Sequence, residues 1–327
     1  MKPFTYIVPK TLAEAADAAK QADTMLKAAG IDVVDRLKER LLTPAQVVNL
    51  LPLRDELQGI TVDANGELRI GALVTLTQLE RHAALQAPAL QALRESAAMT
   101  ATPQVRHRAT VAGNLLQFTR CWYVRSEAHR CLHGGTGPTC LAMTGDNRYH
   151  AVMGWSDCVR VHPSNLAPPL LALGAEFTTS LDGKTRRRKL AELFPAEPRA
   201  LLPEHTLAAG EIVTALHVPA PAAGARSAYS ESREKQSFDW ATTACAVRLV
   251  LDGDTIEAAD LVLGAVAPVP LPRPRAAKLL VGQKASPTLF QKVGAAAFAD
   301  AMPLGHNKYK LTVGPAIVRD ALERATR

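Results

Sequence analysis

Four of the five cysteines, Cys121, Cys131, Cys140 and Cys158, follow one another at spacings C-x9-C-x8-C-x17-C. Four thiolates can hold one metal centre, and such a centre would staple a stretch that carries Gly134, Gly135, Gly137 and Pro138 and almost no helical periodicity. Structural zinc favours short paired spacings such as C-x2-C, because two ligands then come from one tight knuckle, and no such pair is present. An iron–sulfur cubane is wider and takes ligands from different directions, which suits separated cysteines on a wrapping loop. The spacing leaves iron–sulfur, zinc and no metal all open. His129, His133 and His150 are near enough in sequence to replace a ligand, or to be solvated loop histidines. The remaining thiol, in Ala244-Cys245-Ala246-Val247, reads as a buried small hydrophobe.

A second set of groups is backbone rather than side chain. Met25-Leu26-Lys27 reads as a strand, Ala28-Ala29-Gly30-Ile31-Asp32 as a turn, and Val33, Val34 and Leu37 as the start of a helix. Strand, small-residue turn and helix start is the arrangement in which N–H groups can face a phosphate, although many α/β turns look like this with nothing bound. Ala112-Gly113-Asn114 and His162-Pro163-Ser164-Asn165, which frame the cysteine stretch, are further small-residue turns that let a ligand approach the backbone.

The elements that must position these groups follow from local patterns. Thr11-x-x-Glu14 is a capping box for a helix to about Gln21, and 43–50 reads as a strand. Residues 60–62 and 68–70 form a hairpin about Asn65-Gly66. Thr77-x-x-Glu80 caps a helix, and a second apolar helix covers 88–99. A short helix over 166–173 ends at Gly174, and a hairpin pairs 176–181 with 184–188 about Asp182-Gly183. The Pro/Ala/Gly run 220–225 marks a domain boundary, giving domains 1–222 and 223–327 with the Cys-rich insertion at about 118–160. Strands at 241–251 and 258–265, then helices at 287–301 and 313–325, give the second domain an α+β order.

The bulk composition is that of an ordinary globular protein: 327 residues, 47% hydrophobic and 21% charged, long enough for two or three domains and not disordered. Much of the net charge of +7 sits in Lys184–Lys189, a solvated hairpin arm with no aromatic platform beside it, so nucleic-acid binding is not expected. Neither an apolar leader core nor a run of about 18 apolar residues is present, so no export signal of its own and no membrane insertion are expected. A cytoplasmic protein, or a periplasmic one exported with a partner subunit, fits that reading.

Over essentially its whole length the chain resembles the FAD-binding medium subunit of the molybdenum hydroxylases, the xanthine dehydrogenase and carbon monoxide dehydrogenase family. The likeness runs from Met1-Lys2-Pro3-Phe4-Thr5-Tyr6 through Thr110-Val111-Ala112-Gly113-Asn114-Leu115-Leu116-Gln117, Cys121 and His162-Pro163-Ser164-Asn165. It ends with Leu263-Gly264-Ala265-Val266-Ala267 and Asn307-Lys308-Tyr309-Lys310. More narrowly the chain is similar to the flavin subunit of periplasmic aldehyde oxidoreductases, a branch with an inserted 4Fe-4S cluster, for which Cys121, Cys131, Cys140 and Cys158 would be the ligands.

The resemblance implies an α/β flavin-binding domain of the vanillyl-alcohol-oxidase (PCMH) type, followed by an α+β C-terminal domain. It places the first flavin loop, A-G-G-T-[ND]-L in the family, on Ala28, Ala29, Gly30, Ile31, Asp32 and Val33, led in by Leu26 and Lys27. The second, T-x-[AG]-G-N, falls on Thr110, Ala112, Gly113 and Asn114. Asn165 falls near the adenosine half, Ile212 among the flavin contacts, and Arg233 and Trp240 on the isoalloxazine side. The implied role is electron transfer inside a heterotrimeric oxidoreductase that oxidises an aldehyde or N-heterocycle. A molybdopterin-containing large subunit does the oxidation, a small subunit with 2Fe-2S clusters passes electrons to FAD, and an external acceptor takes them; no residue here acts as acid or base on the substrate. The chain departs from the family at Ala29 and Ile31, at Asn165 in place of a carboxylate, and at Glu231 where Lys is common. Those departures keep a second expectation, a flavin-free structural subunit that retains the cluster.

Overall fold

A computed structural model describes residues 1–235 and 238–327. The chain opens with β1 (Thr5–Ile7), α1 (Leu12–Ala19), β2 (Thr24–Lys27), α2 (Ile31–Lys38) and β3 (Gln46–Asn49). The three strands form a parallel sheet in the order β1-β3-β2. Parallel neighbours need crossover connections, which α1 and α2 supply, and Val48, Leu53 and Leu57 pack with Ala15 and Ala16 beneath them.

Next come α3 (Arg54–Leu57), β4 (Ile60–Val62), β5 (Leu68–Gly71), α4 (Leu76–Arg81), α5 (Gln91–Met99), α6 (Pro103–Arg106) and α7 (Val111–Leu115). After α8 (Ala167–Ala172), strands β6 (Glu176–Leu181), β7 (Lys184–Lys189) and β8 (Ile212–Val218) complete an antiparallel sheet in the order β4-β5-β8-β6-β7. Leu76, Leu79, Leu93, Phe177 and Leu216 form its core. The last third holds β9 (Ala225–Ser232), β10 (Thr243–Asp252), β11 (Thr255–Gly264), β12 (Leu271–Pro272), α9 (Pro274–Lys278), β13 (Gln283–Lys284), α10 (Pro287–Ala297) and α11 (Lys310–Ala325). Its antiparallel sheet, β12-β11-β10-β9 with β13 also on β11, has a core of its own in which Val247, Leu249 and Leu261 meet Phe290, Val293 and Leu322.

Two helix starts differ from the sequence expectation. Thr75, not Thr77, caps α4: its hydroxyl accepts from Gln78 N at 3.2 Å while Gln78 Oε1 accepts from Thr75 N at 2.9 Å. Both threonines fit the S/T-x-x-E/Q pattern, and tertiary packing chose by burying Thr77. At α1 the Thr11 hydroxyl accepts from Glu14 N, but the Glu14 carboxylate reaches back to Lys10 N, so the box is half formed, and the helix ends at Ala19 rather than near Gln21.

Residues 116–166 carry neither a strand nor an α-helix, only a 3-10 turn at Leu141–Met143. Side chains from elsewhere hold this stretch. Lys310, fully buried at the start of α11, donates to the carbonyls of Tyr149, His150 and Ala265 at 3.3, 2.9 and 2.9 Å. Asn307 donates to Ala151 O at 3.1 Å.

Candidate flavin cavity and cysteine segment

A cavity of about 930 Å³ opens between the parallel sheet and α7, and reaches the loop that follows β9. Leu26, Ala28, Ala29, Gly30, Ile31, Asp32, Val33, Thr110, Ala112, Gly113, Asn114, Asn165, Ile212 and Trp240 all line it. Lys27 and Arg233 do not. Lys27 braces the first turn from behind, donating to Ala28 O at 2.8 Å and to Asn49 Oδ1 at 3.3 Å. Arg233 is instead ion-paired to Glu231 and donates to the carbonyl of Met99, itself a lining residue.

The first turn is built as its sequence suggests. β2 ends at Lys27, Gly30 takes the left-handed backbone at φ 86°, and α2 begins at Ile31. Ala28 and Ala29 are not among the described non-glycine residues with positive φ. Replacement of a family glycine by Ala29 therefore costs no left-handed strain. The second turn is pinned to the segment that follows β5: Val111 N donates to Val74 O at 2.9 Å and Ala112 N to Ala72 O at 3.1 Å. Thr110 caps α7 by accepting from Gly113 N at 3.2 Å, and a Cβ on Gly113 would come within 2.8 Å of the Thr110 hydroxyl, so only glycine leaves that cradle open. Asn114 spends its oxygen on the flanking loop, accepting from the Ser164 hydroxyl at 2.6 Å.

Several lining residues escaped the sequence reading. Arg36 and Arg120 border the cavity, one guanidinium 4.3 Å above the Phe118 ring and the other 4.4 Å above the Trp240 ring. Arg120 also pairs with Asp32 at 3.1 Å and Asp35 at 3.2 Å. The acidic residues at 32, 35 and 39 recur at one-face helical spacing, a signal that a basic segment lies across α2. Leu201 to His205 and His133 close another wall. His133 has Ala200 O on Nδ1 at 2.5 Å and Glu204 Oε1 on Nε2 at 2.9 Å, and it stacks on Phe118, so its side chain is committed there. Burial opposes ionisation of Glu204, yet His133 and Arg160 hold its pKa below the usual value.

The four cysteines are brought into one region but not to one point. Cys131, Cys140 and Cys158 are buried and Cys121 is half-buried. Cys140 and Cys158 are close enough to influence each other's titration, the first thiol shifted down and the second up. Burial lifts the Cys121 thiol to about 12, and His150 Nε2 stands 3.1 Å from its sulfur. Among the described residues, no three His, Cys, Asp or Glu side chains converge where a single ion could sit. As they stand, the cysteines form neither a single-ion site nor an assembled cluster site. His129 is an exposed loop histidine against Tyr123. Cys245 is fully buried in β10, as its neighbours suggest.

Residues 2–221 match the family described as the FAD binding domain in molybdopterin dehydrogenase, and residues 227–325 match the CO dehydrogenase flavoprotein C-terminal domain. The chain is 33% identical over 328 residues to the aldehyde oxidoreductase FAD-binding subunit PaoB of Escherichia coli K12, covering 99% of each chain. It is 28% identical to the carbon monoxide dehydrogenase medium chain of Hydrogenophaga pseudoflava, over 98% of this chain and 96% of the relative. A crystal structure of cyanide-inactivated Cu,Mo-CO dehydrogenase superposes with a TM-score of 0.77 at 25% identity, over 100% of this chain and 99% of that one. The fold is thus a PCMH-type flavin domain followed by a CO dehydrogenase flavoprotein C-terminal domain. With both parts matched over nearly the whole chain, the chain belongs to the FAD-binding subunits of the molybdenum hydroxylases, components of oxidoreductase complexes.

Proposed function

We propose that this chain binds FAD in the 930 Å³ cavity and carries electrons within a heterotrimeric molybdenum hydroxylase that oxidises an aldehyde or N-heterocycle. One observation carries the reading. Two turns some eighty residues apart in sequence, Ala28–Val33 and Thr110–Asn114, line the same cavity, each with a glycine where a side chain would be strained or would intrude. The amides at the start of α2 bind the pyrophosphate, since a helix N-terminus offers unpaired N–H groups and a positive dipole end. Gly113 admits the cofactor close to the backbone, and Arg36 and Arg120 add positive charge at the wall. Bound FAD supplies the exchange between one-electron and two-electron traffic. Lys27 and the acidic face of α2 keep the turn in place while that exchange occurs.

The partners in this reading are a molybdopterin-containing large subunit, a small subunit with 2Fe-2S clusters that delivers electrons, and an external acceptor. Support comes from relatives that are the FAD-binding subunit and the medium chain of such enzymes. Cys121, Cys131, Cys140 and Cys158 hold a 4Fe-4S cluster of the chain's own. What supports this is the sequence: four separated cysteines in one segment without strands or α-helices, in a chain similar to a branch whose flavin subunit carries such a cluster. The division into domains 1–222 and 223–327 is supported by the two family matches, 2–221 and 227–325, although Val152 and Met153 of the first part join the core of the second. Among the described residues no helix is long and apolar enough to cross a membrane; the compartment in this reading is the cytoplasm, or the periplasm if a partner carries the complex out.

Acid extraction of the complex, with FAD, iron and acid-labile sulfide quantified per protomer, tests all of this. About one FAD, and iron and sulfide beyond those owed to the small subunit, are expected. Iron without FAD would leave the flavin-free structural subunit; FAD without the extra iron would remove the cluster.

A further inference from the structure

Asn165 borders both the flavin cavity and the smaller cavity beside Cys121 and His150. Its Nδ2 lies 2.7 Å from Glu231 Oε2 and 3.3 Å from the Tyr229 hydroxyl oxygen. The Tyr229 hydroxyl donates to the same Glu231 oxygen at 2.6 Å, which leaves its lone pairs for Asn165. Arg233 covers the other oxygen, Oε1. The Glu231 side chain is 0% exposed and Tyr229 is fully buried, so neither group exchanges its partners for water.

A carboxylate only accepts, so the end of Asn165 that faces Glu231 has to be the nitrogen. Both amide hydrogens then have acceptors within the cluster. The carbonyl oxygen is left for the cavities, and among the described residues it has no hydrogen-bond donor. We infer that Glu231 is a positioning residue: with Tyr229 it locks the Asn165 amide so that an uncharged oxygen accepts a hydrogen bond from a hydroxyl of the bound cofactor. The inference rests on FAD as the ligand, whose ribityl chain and ribose carry such hydroxyls. An acceptor at position 165 is thus provided without a second carboxylate beside Glu231.

FAD affinity of the deflavinated full-length chain, titrated by flavin fluorescence, tests it. Asn165→Asp sets two carboxylates against each other and is expected to weaken FAD binding about tenfold or more. Asn165→Asp with Glu231→Gln exchanges the roles, since the Gln amide donates to the Asp carboxylate, and is expected to return within roughly threefold of the unsubstituted chain. A loss of packing alone would show no such rescue. Thermal unfolding of each apo variant reports folding. Should N165D fail to fold, Tyr229→Phe, which frees one amide hydrogen while keeping the ring, is expected to weaken FAD about two- to tenfold. Unchanged affinity in N165D, a double variant no better than N165D, or unchanged affinity in Y229F would each overturn the role of Glu231. If the unsubstituted chain takes up no FAD, the flavin reading itself falls, and this inference with it.

Discussion

Arg125 Nη2 meets Asp32 Oδ1 at 2.9 Å, joining the cysteine segment to the first turn of the helix that begins after Gly30. The same guanidinium reaches Asp35 at 3.1 Å and Glu39 at 2.8 Å, and donates through Nε to Thr119 O at 2.8 Å. Only 8% of its side chain is exposed, so the contact is shielded from the screening that weakens surface ion pairs. Whatever holds the cysteine segment in shape therefore also bears on the turn at Gly30.

Arg125→Ala should destabilise the chain by roughly 2 to 3 kcal/mol, because it leaves Asp32 with one fewer charged partner and exposes the seam. Denaturant unfolding of the holoprotein would measure this. FAD retained after gel filtration should fall in parallel, and unchanged retention would mean that the two segments are independent.

Gly30 and Ala29 should respond in opposite ways to exchange of glycine and alanine. Gly30→Ala puts a Cβ on a residue at φ 86° and within 3.0 Å of Val34 Cγ2, at a cost of about 1 to 2 kcal/mol. Ala29→Gly relieves no left-handed strain and adds freedom to the unfolded chain, so about 0.4 to 1 kcal/mol of stability is lost. FAD content should drop in the first variant and hold in the second.

Iron should follow the insertion cysteines and ignore the fifth. Cys140→Ser or Cys158→Ser is expected to strip the extra iron and sulfide from the purified complex, since a hydroxyl is a poor replacement for a thiolate corner. Cys245→Ala, deep in the sheet of the C-terminal domain, should leave iron and FAD as they are. Loss of iron on changing Cys245 would refute the assignment.

His162 supplies a pH dependence with a definite sign. Burial, offset only in part by the Glu204 charge, pushes its pKa from 6.5 down to about 4. Between those values the unfolded chain binds a proton that the folded chain refuses, so the folded state loses stability as pH falls, by up to about 1.4 kcal/mol per unit. Above pH 6.5 the group contributes no slope. Urea unfolding at pH 7, 6 and 5 should show a shallower decline in His162→Gln than in the unsubstituted chain; parallel declines would exclude His162 as the source.

What could be read from sequence alone was what local chemistry dictates. Asn65-Gly66 and Asp182-Gly183 set their hairpins, and the passage from Leu26 through Gly30 to Val33 was legible as strand, turn and helix because each step depends on neighbouring residues. The buried setting of Cys245 followed from its apolar flanks, whereas the cysteine segment, expected to lack an apolar core, packs one of its own about Cys140, Ala142, Ala151, Cys158 and Val159. Local pattern was not enough at Thr75 and Thr77, where two overlapping capping motifs competed and burial decided. Three features belonged to the tertiary structure alone. The backbone angles of Ala28 and Ala29, which make the departure from glycine harmless, depend on how β2 and α2 are held. The arginine wall depends on pairs such as Arg120 with Asp35, 85 residues apart. The buried set of Asn165, Tyr229, Glu231 and Arg233 joins a loop of the flavin domain to β9 and the residue after it. Donor and acceptor can be matched there only once both are packed against each other and cut off from water.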